Sequence, residues 1–106
     1  ATFNTPKLTA DTAALLAQRF GEARVRKVPA VMGGEDFGRY HLADKSNESL
    51  IFWVGGTPLA QWQAAGGDPA KLPSLHSPKW APDAEAVIST ATEAMVAAAL
   101  GVLGKR

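Results

Sequence analysis

Apolar side chains return every three or four positions near the start of the chain. Leu8, Leu15, Leu16 and Phe20 share one stripe with Thr12, and that period predicts a helix over 9–20. Thr9 suits its N-cap and Asp11 its first turn, where a carboxylate meets unpaired N–H groups. Gly21 is placed to stop it, because glycine tolerates backbone shapes past a last turn that a side chain resists. Pro6, just upstream, fits an extended entry. The next pattern is weaker: Val25 and Val28 in VRKVP predict a short strand over 25–29. Gly33 and Gly34 then break the chain. Phe37 and Tyr40, three apart, predict a short helix over 35–43, followed by a polar turn at 45–49. LIFWV, residues 50–54, is an unbroken run of large apolar residues. It predicts a strand buried on both faces, ended by Gly55 and Gly56.

Residues 58–79 are rich in Gly and Pro and read as a long loop, with one helical turn at QWQAA. Pro82, Asp83 and Glu85 open the last helix. Ala84, Val87, Ile88, Ala91, Met95, Ala98, Ala99 and Val102 then keep helical spacing, and Gly104, Lys105 and Arg106 close it. The order is helix, strand, helix, strand, long loop, helix. Alternating strands and helices predict the α/β class, with helix, sheet and helix in layers. Two strands make a poor sheet, so this chain is expected to be part of a larger one. A first residue of Ala1 instead of Met agrees with that expectation.

Composition narrows the function classes. With 106 residues, 46% hydrophobic and 20% charged, the chain has room for one domain and a modest core. A net charge of +1 gives no field aimed at nucleic acid or an anionic membrane. Arg24, Arg26 and Lys27 are the only basic cluster, which a solvated strand end explains. Without cysteine, the chain holds neither a disulfide framework nor a thiolate zinc site. The Ala-rich segment 87–103 comes nearest to a membrane span but is interrupted by Thr90, Thr92 and Glu93. No membrane partner is expected. No signal peptide is visible, so a cytoplasmic location is expected.

A few polar residues carry candidate chemistry. His76, in LPSLHSPKW, follows the predicted buried strand, on the side where α/β proteins place ligand groups. Pro73 and Pro78 stiffen its flanks. The plainer reading is an ordinary loop histidine. In VMGGEDFGRY, Gly33 and Gly34 allow close backbone approach, and Glu35 and Asp36 would either orient a ligand or stabilise a helix start. His41 reads as a surface or packing residue. Trp53, Trp62 and Trp80 read as anchors of core and loop. Ser77 has no base placed by sequence, so it is not read as a nucleophile.

VMGGEDFGRY, IFWVGGTP and LPSLHSPKWAPDAEAVISTATEAMVAAAL occur together and in order. In this they resemble the M20 family of metallopeptidases, and most closely its amidohydrolase branch, the relatives of hippurate, aminobenzoyl-glutamate and auxin-conjugate hydrolases. The likeness covers nearly the whole chain. ATFNTPKLT, at the start, resembles the segment that leaves the lid domain and re-enters the catalytic domain. The resemblance implies that residues 1–106 are the C-terminal portion of a zinc-peptidase-like catalytic domain, with 1–8 the exit from the lid. It implies two divalent metals, zinc or manganese, activating a water that cleaves an amide, and a homodimeric intact protein.

Residue by residue, His76 matches the family's last metal ligand. Gly33, Gly34, Glu35 and Asp36 match a stretch near the active site, with Met32 in the same turn. Glu35 and Asp36 would shape the substrate pocket or support the metal shell. His41 has no counterpart. The family's other ligands and its general base lie upstream of the lid, outside this chain, so no catalytic residue is expected here and the 106 residues alone are expected to be inactive. The substrate class implied is an N-acyl amino acid or similar amide. The remainder of the catalytic domain and the lid would be the protein partners, with no nucleic acid. The competing reading is a small non-catalytic α/β binding or interaction domain derived from that family.

Overall fold

The computed structural model describes residues 1–104. Helix α1 runs Pro6–Phe20 and is followed by a 3-10 turn at Glu22–Arg24. Short helices α2, Gly38–Ala43, and α3, Leu59–Ala64, come next, then a 3-10 turn at Pro69–Lys71 and the long helix α4, Ala84–Leu103. Among the described residues there is no strand. The α/β expectation is therefore corrected: the described fold is helical. Residues 25–29 and 50–54 are both irregular. The physical reason is that a strand is defined by its neighbours. β-branched and aromatic composition favours extended backbone but supplies no ladder. Val25 instead spends its N–H on Glu22 O, closing the 3-10 turn at 3.2 Å.

The chain divides into two compact units. One is Ala1–Phe52 with the chain from Ala94 onward; the other is Trp53–Glu93. In the first, α1 begins at Pro6, three residues before Thr9, with Thr5 as N-cap. Proline suits a first helical position because its missing N–H would be unpaired there anyway. Thr9 is an interior residue whose hydroxyl donates to Thr5 O at 2.7 Å. Glu48, forty residues away, supplies the missing cap: its carboxylate accepts the Leu8 N–H at 3.2 Å. Lys7 and Asp11 pair at 2.7 Å one turn apart. That bond raises the Lys7 pKa above its ordinary value. Gly21 stops α1 as expected, with φ at 94° and its N–H on Ala17 O. At the other end of this unit, a Cβ on Gly101 of α4 would lie 2.9 Å from Leu15 Cδ2, so a side chain there would require Leu15 to shift.

In the second unit, Asp68 caps the 3-10 turn by accepting the Ala70 N–H at 3.0 Å. Asp83 opens α4 as expected: its carboxylate accepts Ala86 N–H at 3.2 Å, the N-cap geometry. The Asp83 N–H is itself held by Gly56 O at 2.9 Å. The expected closure of α4 by Lys105 and Arg106 lies outside the described residues. Helix α4 is long and apolar enough to cross a membrane by length and composition, with a window of mean hydropathy 1.7. Its Ala, Val and Leu outweigh the Thr90, Thr92 and Glu93 interruptions on that measure.

The core is thin. Among the described residues the buried apolar side chains are Leu16, Ala65 and Ala94, and no large side chain is fully buried. Phe3, Trp53, Leu59, Ile88, Met95 and Leu100 are all more than half exposed.

Candidate functional site

Gly33, Gly34, Glu35 and Asp36 belong to the first unit and His76 to the second. The first group sits in an irregular exposed segment before α2. Glu35 is engaged with the backbone, its carboxylate accepting the Phe37 N–H at 2.7 Å, two residues on. Asp36 gives its carbonyl to Arg39 N–H at 3.0 Å, so both acidic residues mark the entry to the helix. That entry is later than expected, since α2 begins at Gly38 and not at residue 35. A Cβ on Gly34 would meet nothing within 4 Å, and one on Gly33 only Val31 at 4.0 Å. Neither glycine is forced by crowding, and the turn stands open. Asp36 does share a shallow, open depression with Phe37, Arg39 and Tyr40. The Phe37 and Tyr40 rings lie 5.8 Å apart at 59°, a tilted contact between residues expected to share one face.

His76 is exposed, in a loop tightened by successive turns. Ser77 N–H donates to Ser74 O at 2.9 Å, Trp80 N–H to Ser77 O at 3.0 Å, and Lys79 N–H to Ser77 Oγ at 3.2 Å. Ser77 thus forms the turn through its backbone and its hydroxyl. The loop is anchored by Trp80: a Cβ on Gly56 would stand 3.2 Å from its ring. The backbone around His76 is held while its imidazole stays accessible. A single neutral imidazole suits a zinc or manganese ion, but a catalytic zinc takes about three protein ligands. Among the described residues, no three His, Asp or Glu side chains converge. By themselves, the described residues bring no three-ligand metal cluster together.

His41 has a local role. Its Nδ1–H donates to the Asn47 carbonyl at 2.7 Å, which fixes the proton on Nδ1, and its ring lies 5.8 Å from that of Phe3. The packing reading of His41 fits this setting.

One feature of the first unit has no signal in local periodicity. The side-chain amide of Asn4 donates to Ile51 O at 2.8 Å and accepts Ile51 N–H at 2.9 Å. Thr5 N–H donates to Ser49 O at 2.7 Å, and Ser49 N–H to Thr5 Oγ1 at 3.1 Å. Residues 49 and 51 therefore turn their backbone to the same side, as in an extended segment. Ser49 is 3% exposed and its hydroxyl has no partner. The partners are more than forty residues apart, so neither stretch announces the other.

No protein-family model matches this chain, and neither the curated proteins nor the solved structures include a match to it.

Proposed function

We propose that this chain is the C-terminal part of a metal-dependent amidohydrolase that cleaves N-acyl amino acids or similar amides, and that alone it is inactive. The observation that carries the reading is incompleteness. His76 is held on a tight loop, and no group of three or more His, Asp or Glu that could hold a metal forms among the described residues. The apolar side chains around the chain go largely uncovered. Both features suit a piece whose site and core are completed from outside, as the resemblance of its three motifs implies. In this reading His76 contributes one metal ligand, and the turn at Gly33, Gly34, Glu35 and Asp36 lies along the substrate pocket. The metals would be held jointly with ligands from the remainder of the catalytic domain.

The test is hydrolysis of a panel of N-acyl amino acids by the longer protein carrying this sequence, before and after chelation. Hydrolysis that chelation abolishes and added zinc or manganese restores supports the proposal. A longer protein indifferent to chelation contradicts it. For the 106-residue chain alone, a zinc titration is expected to show no tight complex; a submicromolar 1:1 complex would contradict the assignment of His76 as one member of a shared site.

A second reading rests on the same exposed apolar surface: a non-catalytic interaction domain, in which Glu35 and His76 are helix-entry and loop residues only. It predicts a longer protein without hydrolase activity.

A further inference from the structure

The segment 49–52 has two edges, and they differ. Ser49 and Ile51 direct their N–H and C=O groups at Asn4 and Thr5, which satisfy them. In an extended segment the intervening residues face the opposite way. Leu50 and Phe52 accordingly have no backbone partner among the described residues. An open edge of this kind recruits another strand unless charge, proline or a bulge protects it. This one lacks such protection: no charged residue occurs from Ser49 to Gly67. Ile51 is 38% exposed, so the face beside the edge is accessible as well.

We propose that the free edge of residues 49–52 pairs with a second copy of this chain, antiparallel, across a two-fold axis at Ile51. Leu50 of one copy then faces Phe52 of the other, and each such pair exchanges two backbone hydrogen bonds. Ile51 meets Ile51 in the closer, non-hydrogen-bonded position. The register is self-complementary, as a two-fold interface requires. Charge selects the direction. A parallel, in-register pair would set Glu48 against Glu48, whereas the antiparallel pair keeps the two carboxylates at opposite ends. This inference concerns the 106-residue chain and does not depend on the amidohydrolase reading.

The experiment is sedimentation velocity on the 106-residue chain over a wide concentration range, with Ile51→Lys, Ile51→Glu and an equimolar mixture of the two. Like charges at the axis should abolish association in each variant alone, and opposite charges should restore it in the mixture. The expected result is a doubled mass for the unmodified chain, monomers for both variants, and a doubled mass for the mixture. The helical circular dichroism of each variant, matched to the parent, shows that the fold is kept. A monomeric parent overturns the proposal. So do variants that still dimerise, which would place the contact elsewhere, or a mixture that stays monomeric, which would remove Ile51 from the axis. Because no hydrolysis is measured, failure here leaves the proposed activity standing, and the reverse holds.

Discussion

Two single residues in the first unit allow sharp tests. Gly38 is buried, and a Cβ there would lie 2.8 Å from Ala1 O and 3.0 Å from Thr2 Cα. Both obstacles are backbone, so relief requires the N-terminal segment to move. Gly38→Ala should cost about 1–3 kcal/mol in denaturant unfolding, while Gly34→Ala, which meets nothing within 4 Å, should stay within about 0.5 kcal/mol. Equal effects would show that the N-terminal segment does not pack on α2. Asp44 provides the pH test. The Ser46 hydroxyl donates to its Oδ1 at 2.7 Å and the Ser46 N–H at 2.8 Å, and these bonds hold the Asp44 carboxyl below its ordinary value. A carboxyl depressed in the folded state favours folding while it is ionised. That contribution is fully present above the ordinary aspartate value and is lost as pH falls through the depressed one. Ser46→Ala should move the Asp44 titration, followed by carboxyl NMR, upward toward the ordinary value; an unmoved titration would remove Ser46 as the cause.

At the scale of elements, the Asn4 clasp stands in for a neighbouring strand. Asn4→Ala removes both of its bonds to Ile51 and should destabilise the first unit by about 1–2 kcal/mol, with faster hydrogen exchange at the Ile51 amide. Unchanged exchange there would show that the clasp does not hold residues 49–52. The same clasp explains which elements were legible in the sequence. The Gly21 stop, the Asp83 cap and the Phe37–Tyr40 contact each depend on residues within a turn of one another. Local spacing therefore reveals them. The α1 start was displaced because Thr9 and Thr5 both have capping chemistry, and Pro6 decides between them. The cap that α1 receives from Glu48 is invisible to any local reading. LIFWV carries strand composition, but pairing is a property of two segments, and among the described residues its start meets the single polar side chain of Asn4. The loop turns around His76 follow from Ser and Pro; whether an imidazole there meets other ligands depends on residues far from it in sequence.

Across the molecule, surface and chemistry agree. Trp53 is 63% exposed, and among the described residues no large side chain is completely buried. In the proposed reading the His76 imidazole, on its well-held loop, is one ligand of a site whose others come from elsewhere, and among the described residues no group of three or more such ligands forms. In the proposed amidohydrolase reading one further body of polypeptide supplies both the cover and the remaining ligands. The most direct measurement is the metal content of the longer protein carrying this sequence, purified with and without His76→Ala. Bound metal should fall in the variant, chelator-sensitive hydrolysis should fall with it, and the helical circular dichroism should be unchanged. A variant that keeps both its metal and its activity would remove His76 from the site and contradict the shared-site reading.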